Sequence, residues 1–224
     1  DYPFLFKDHQ QADQVLDGPL GAEILTSLES SGFKGLCFSE NGFRNLTNSK
    51  KAVTSPADIE GLKIRVMSSA LHKSIWQTLG ANPTPMPWPI YTELEQKVID
   101  GQENTWSNIY GKKFFEVQDG ITETNHGILD YLVVTSSKWW DGLPDDVRSQ
   151  LATILKEVTE TRNAESTKVN EQNKQNIINA GGVVRTLTPA QRQAWVEAMK
   201  PVWKKFEKDI GADLMEDALK SNQG

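Results

Sequence analysis

The chain has 224 residues, 38% apolar and 24% charged, which is enough apolar material for a real core in one or two domains and too much for an intrinsically disordered chain. Its 24 basic and 30 acidic residues leave a net charge of −6, which excludes the basic footprint of a nucleic acid binder but not a local arginine holding a small anion in a cleft. The lone Cys37 excludes an intramolecular disulfide and reads as a small hydrophobe, no run reaches the ~18 apolar residues of a membrane span, and an Asp at position 1 leads us to expect a soluble chain processed or truncated in front.

After an apolar opening at Asp1–Phe6, Asp8 to Asp17 carries a weak helical pattern, and a second helix starts at Pro19 with Leu20, Ile24, Leu25 and Leu28 on one face and stops at Gly32. Leu36 to Ser39 reads as a short buried strand and Glu40 to Thr47 as a polar loop. Ser55-Pro56-Ala57-Asp58 has the form of a capping box for one turn ending at Gly61. Lys63 to Met67 is strand-like. Ser68 or Ser69 can cap the next helix, with Leu71, Ile75 and Leu79 on one face and Gly80 at its end. Strand followed by helix predicts an α/β protein with parallel strands.

Pro83 to Pro89 holds four prolines around Trp88 and cannot be helix interior, so it is expected at a sheet edge or along a cleft. A helix with Ile90, Leu94 and Val98 follows, ending at a tight turn, Asp100-Gly101. Ser107 is the expected cap of another helix through Phe115 and Val117. Leu129 to Thr135 reads as a strand of continuous apolar character, as in a sheet covered on both faces. Pro144, Asp145 and Asp146 open a helix with Val147, Leu151, Ile154, Leu155 and Val158 in one stripe and no breaker before Gly181-Gly182. Such a helix of ~35 residues would run ~50 Å and is expected to bridge two lobes. Thr188-Pro189-Ala190-Gln191 caps a last helix with Trp195, Met199, Val202, Trp203 and Phe206 on its apolar face.

Arg65 alternates with Ile64 and Val66, so it points away from the face those two bury, and it lies at the carboxyl end of a strand just before a helix start, where open α/β sheets place ligands. An arginine there is costly to bury alone. It must meet either a protein acid or a ligand carboxylate, which its planar fork can hold bidentately. His9, His72 and His126 lack metal spacing and are expected to be solvated or structural. Glu103 beside Asn104 has no nucleophile placed with it. Trp139-Trp140 is expected in the core or between lobes, and Trp106 in the core or on a cleft wall. Asn45-Leu46-Thr47 matches a glycosylation sequon by pattern alone.

Six segments, Gly42–Thr47, Asp58–Val66, Asn82–Met86, Asp100–Asn104, Lys113–Gln118 and Thr124–His126, occur in an order and spacing that resembles the DctP-type solute-binding proteins of tripartite ATP-independent periplasmic (TRAP) transporters. The resemblance runs from Leu5 to Phe206. It implies an α/β fold of the two-lobed periplasmic binding protein kind, with a cleft between lobes and a long inter-lobe helix. It divides the chain into lobe one, residues 1–41 plus 130–170, and lobe two, 42–129 plus 171–224.

By position in those segments it implies that Arg65 clamps a ligand carboxylate, that Arg44 is a second basic residue at the cleft, and that Asn104 bonds the ligand through its carboxamide. Ser68 would be a polar neighbour at the helix start, Trp88 an aromatic wall, and Tyr131 a weaker candidate opposite them on the next strand. Trp88 stands between two prolines with one residue deleted before Ile90, which departs from the family pattern. Members also carry a further segment ahead of the position of Asp1, so the chain is expected to be a fragment of a longer protein.

The function implied is capture of a small organic carboxylate, C4-dicarboxylates first, by a periplasmic monomer that performs no chemistry. It would use no metal or cofactor, bind no nucleic acid, and deliver its ligand to the membrane subunits of a TRAP transporter. Alternatives within reach are a sugar acid or aromatic acid on the same fold, an α/β enzyme acting on a carboxylate, and a sensory ligand-binding domain.

Overall fold

A computed structural model describes residues 2–220. In chain order it contains α1 (His9–Leu16), α2 (Pro19–Ser27) running on into a 3-10 turn, β1 (Phe33–Phe43), β2 (Asn45–Asn48), β3 (Lys63–Val66), α3 (Ala70–Thr78), β4 (Asn82–Pro85) and α4 (Tyr91–Glu95). There follow β5 (Gly101–Asn104), α5 (Trp106–Gly111), β6 (Gly120–Glu123), β7 (Ile128–Ser136), α6 (Ser137–Asp141), α7 (Asp145–Asn179), β8 (Val184–Thr186), α8 (Pro189–Ile210) and α9 (Ala212–Lys220).

Six strands make one mixed sheet in the order β4-β3-β5-β2-β6-β8, and β1 pairs with β7 in a separate antiparallel ribbon. In the sheet β3 is parallel to β4 and β5, as the strand–helix alternation predicts, while β2 runs antiparallel to β5 and β6. The proline-rich β4 takes the edge, where a missing N–H costs least.

Two apolar clusters belong to this body. Ile64, Val66 and Leu46 pack with Ile75 and Trp76 of α3 and with Trp195, Met199, Val202 and Phe206 of α8, and Tyr2 and Phe4 join the same cluster. Ile90, Leu94, Ile99, Trp106, Ile109, Phe114 and Ile121 form the second with Ile177 near the end of α7. The capping boxes at Ser55/Asp58 and Thr188/Gln191 are both made, which places the starts of the 3-10 turn at Pro56 and of α8.

Several expectations change. Glu40 to Thr47 is not a loop: β1 runs to Phe43 and β2 starts at Asn45, because the polar side chains that argued against strand all find partners, Thr47 with Gln118 and Glu40 with His9 among them. Gly101 is no turn but the first residue of β5. A Cβ there would stand 2.1 Å from the carbonyl oxygen of Thr47, so the glycine serves strand approach. The helix after Ile90 stops at Glu95, and Val98 is exposed. Thr105, rather than Ser107, caps α5, which ends at Gly111.

The long helix is present with 35 residues, about 52 Å at 1.5 Å per residue. Its apolar stripe is not its packed face: Val147, Ile154 and Val158 are exposed, while Ser166, Asn170 and Ile177 are buried. Trp139 is exposed and Trp140 buried.

Candidate functional site

Three of the expected residues meet at one end of the six-stranded sheet, and topology explains why. Arg65 lies one residue from the carboxyl end of β3 and Asn104 ends the parallel neighbour β5. Asn45, which opens the antiparallel β2, sits opposite Asn104, so Arg44 enters from the other direction at the same end. Ligands of open α/β sheets bind beyond the carboxyl ends of strands.

Arg65 is 5% exposed. Its Nε donates to the carbonyl oxygen of Met86 at 2.9 Å, and among the described residues no carboxylate pairs with it. The guanidinium lies 5.6 Å from the ring centroid of Trp88, itself held edge-on against Phe114. Burial lowers the pKa of Arg65; Glu103 opposes this at longer range and Arg44 adds to it.

Arg44 is enclosed completely. Its Nε donates to Oε2 of Glu103, and its Nη2 donates to Oε1 at 2.8 Å and to the carbonyl oxygen of Glu103 at 3.0 Å; Nη1 is buried without a bond among the described residues. Its main chain is also held, donating to Gly127 at 2.8 Å and accepting from His126 at 3.3 Å. Arg44 thus stands at the same end of the sheet as Arg65 and Asn104, with Glu103 taking two of its three nitrogens.

Glu103 is the residue that sequence reasoning left aside. Burial alone would raise its pKa, yet Arg44 and the bond from His126 hold it well below the usual carboxylate range. A carboxylate held ionised so firmly is a poor proton acceptor. His126 donates Nε2–H to Glu103 at 3.0 Å and accepts at Nδ1 from Thr124 at 2.8 Å. Burial lowers its pKa and that of His72, the latter to about 4, so both imidazoles are neutral at pH 7. The charge balance is two buried guanidinium groups against one carboxylate, a surplus of one positive charge at the head of the cleft. The pairing of β2 with β5 sets Asn45 opposite Asn104, and with it Arg44 and Glu103 fall together.

Asn104 is buried and uses only its oxygen, Oδ1 accepting from the main chain of Thr105 at 3.0 Å and from Nδ2 of Asn108 at 2.7 Å. Its Nδ2 hydrogens have no bond among the described residues. Trp88 is 38% exposed beside Arg65. Ser68 is exposed two residues before α3; the cap is Ser69, whose Oγ accepts from His72 at 3.4 Å. Tyr131 is not on a strand next to the others. It stands 48% exposed on β7, in the ribbon, where its hydroxyl accepts from Asn41 at 3.4 Å. Trp106 is core, with the Lys174 ammonium 5.7 Å from its ring centroid. No group of side chains able to hold a metal occurs among the described residues.

A mixed sheet that brings an arginine with no carboxylate partner among the described residues and a carboxamide with only its oxygen bonded to the carboxyl ends of neighbouring strands, joined to a long helix, has the form of a solute-binding α/β protein. Residues 1–209 match the family described as bacterial extracellular solute-binding protein, family 7, DctP. The C4-dicarboxylate-binding periplasmic protein DctP of Vibrio cholerae is 61% identical over 224 residues, covering 100% of this chain and 67% of that protein.

Among solved structures, a TRAP periplasmic solute-binding protein from Shewanella oneidensis with bound succinate superposes with a TM-score of 0.96 at 41% identity, over 99% of this chain and 73% of the other. A sugar acid binding protein from Advenella mimigardefordensis in complex with galactonate gives 0.93 at 35% identity, over 99% and 72%. The chain therefore belongs to the DctP family of TRAP transporter solute-binding proteins, and it spans about two thirds of the length of the Vibrio relative.

Proposed function

We propose that this chain captures a small dicarboxylate of the succinate class in the periplasm and delivers it to the membrane subunits of a TRAP transporter. One observation carries the reading: the fork of Arg65 is buried at the carboxyl end of β3, and no acid among the described residues pairs with it. A desolvated cation of that geometry fits a carboxylate. Asn104 offers two further donors, Trp88 a flat wall, and the buried Nη1 of Arg44 a donor for a second carboxylate. Ser68 and Tyr131 are the outlying members of the set.

The family's role is solute binding rather than turnover, and the buried, ionised Glu103 agrees with a site that holds its ligand unchanged. The lobe division follows the same reading, with the ribbon strands β1 and β7 crossing between lobe one, residues 1–41 plus 130–170, and lobe two. Tyr2 and Phe4, on the lobe-one side of that division by sequence, pack in the core of the six-stranded body.

Calorimetry with succinate on Arg65→Ala and Arg65→Lys tests the reading. Truncating one partner of a desolvated charge pair costs ~2–5 kcal/mol, so Arg65→Ala should bind roughly 30-fold to several thousand-fold more weakly. Arg65→Lys should recover part, since it keeps the charge but not the fork. A folded Arg65→Ala that binds as tightly as the parent ends this assignment.

The galactonate-bound relative supports a second reading, a sugar acid. A thermal-shift screen separates the two, because an acid at a hundred times its dissociation constant adds ~2.7 kcal/mol of stability.

A further inference from the structure

Where α7 passes the ribbon its buried residues are polar, and one of them is fully engaged by three elements. Nδ2 of Asn170 donates to the carbonyl oxygen of Asn41 in β1 and to that of Ser166 at 3.0 Å, one turn earlier in α7. Its Oδ1 accepts from the main-chain N–H of Ser107, in the first turn of α5, at 3.1 Å. The strand is shaped around this side chain. The β1–β7 register slips between Glu40 and Gly42, and Gly42 has φ of +138° with no room for a Cβ, which would fall 2.7 Å from Nδ2 of Asn170. Bulges of this kind re-aim the residues beside them.

Asn41 is the residue re-aimed. Its Oδ1 accepts from the hydroxyls of Thr105 and Ser107, the latter at 3.1 Å, and its Nδ2 donates to Tyr131 on the other ribbon strand. Thr105 in turn caps α5 and donates its N–H to Asn104, fixing which end of that carboxamide faces the cleft. A continuous chain of directional bonds thus joins α7 and both ribbon strands to a donor of the proposed site. Its origin is a side chain whose two amide hydrogens are both bonded within the protein, with no donor left over for a ligand.

We propose that Asn170 is a positioning residue for ligand binding: through Asn41 and the start of α5 it holds the Asn104 carboxamide in the orientation that binds, so affinity depends on a residue the ligand does not touch. The proposal rests on the placing of the binding site at Arg65 and Asn104. A helix that only had to span two lobes could pack here through an apolar face. Directional bonds to three elements instead make the angle of Asn104 a function of how the ribbon and α7 are set.

The experiment uses Asn170→Asp, which keeps size and acceptor oxygens but loses the two donors, with succinate as probe and the full chain as sample. Misplacement of a positioned contact can cost up to about 100-fold, so binding should weaken roughly 10- to 100-fold while circular dichroism is unchanged. The loss should be absent on an Asn104→Ala background, the double variant matching Asn104→Ala within about twofold, the usual scatter of independent sites. It should persist on an Arg65→Ala background.

A lowered melting temperature with unchanged affinity, or full additivity with Asn104→Ala, overturns the proposal. Normal binding by Arg65→Ala overturns the site reading instead, so the two failures are distinct. A readout without ligand completes the test. In the free protein the side-chain amide NMR signals of Asn104 should shift in Asn170→Asp and stay in place in Asn163→Asp, a neighbouring control on α7; unmoved signals in Asn170→Asp overturn the proposal whatever the ligand.

Discussion

The six-stranded body and the β1–β7 ribbon are built from the same chain by different means. The body has helices on its sheet and two apolar clusters whose members are almost fully enclosed. The ribbon has two strands, and Phe33, Tyr131, Leu132 and Val134 stand exposed on it. Away from Phe43 and Ile128, which join an apolar cluster with Phe6, Ala12 and Val15, its order comes from side chains acting on backbone. Asn163 of α7 donates Nδ2–H to the carbonyl oxygen of Phe38 at 3.1 Å and accepts at Oδ1 from the N–H of Glu40 at 2.9 Å, doing for the edge of β1 what a third strand would do. A groove of about 730 Å³ between α2, β1 and α7, lined by Leu25, Leu36, Phe38 and Leu155, lies beside it. Burial stabilises the body without direction, whereas the ribbon depends on a few directional contacts.

The largest expected effect is on the body. Trp195 is wholly enclosed in the α8 face, and Trp195→Ala should cost ~3–5 kcal/mol in urea unfolding followed by circular dichroism. A loss below ~1 kcal/mol would mean that the body does not rest on this cluster.

Acid should pull the two regions in opposite directions. In the body, burial holds His72 at about 4, below its ordinary 6.5, and lowers His126 as well. The stability that His72 contributes is fully present above pH 6.5 and is lost as pH falls toward 4, on the order of 2 kcal/mol between pH 7.5 and 5, and His126 acts in the same direction. In the ribbon, burial raises Asp130 to about 7, and on the adjoining α1 it raises Asp13 to about 6, with Glu40 adding to both. Their stability is fully present below the ordinary carboxylate value and lost as pH rises through 6 and 7. Hydrogen exchange, corrected for intrinsic rates, should show body amides less protected and ribbon amides more protected at pH 5 than at 7.5. Parallel changes would break the comparison.

Asn163→Leu tests the surrogate strand. Two main-chain groups lose their partner in a half-buried setting, so the cost should be ~1–2 kcal/mol and confined to the ribbon, with faster exchange at the Glu40 amide and unchanged protection at Ile64. Equal loosening in both regions would show that the ribbon unfolds only with the body.

The same contrast explains what could be read in advance. Elements with an apolar period and local signals were legible: α8 from its capping box and the Trp195–Phe206 face, α7 from Pro144 and the distant Gly181, β4 as an edge from its prolines. Glu40 to Thr47 was illegible because a strand whose side chains are paired with distant polar groups has the composition of a loop. The stripe Val147–Val158 misled for the opposite reason, since apolar periodicity says that a face can be covered and not that it is. At the candidate site, the place of Arg65 near a strand's carboxyl end was legible from strand alternation, and the resemblance pointed to Asn104 and Arg44, which lie at the same end of the sheet. Glu103 and His126 were not, because their importance lies in a β2–β5 pairing across 59 residues that no local pattern announces.

The smallest expected effect is Val134→Thr. Val134 is 44% exposed in the middle of β7, and threonine keeps the branched Cβ that suits a strand, so the exchange replaces one methyl group by a hydroxyl facing water. Surface changes of this kind fall within ±0.5 kcal/mol, and the 224-residue chain should show no more than that in urea unfolding. The same exchange at an enclosed position would leave a hydroxyl without a partner and cost ~1–3 kcal/mol. The measurement therefore reads how covered the ribbon face is in solution. A cost near zero supports two regions that differ in coverage as described, and a cost above ~1 kcal/mol would mean that something packs on Val134 and that the contrast between ribbon and body is smaller than the exposed face suggests.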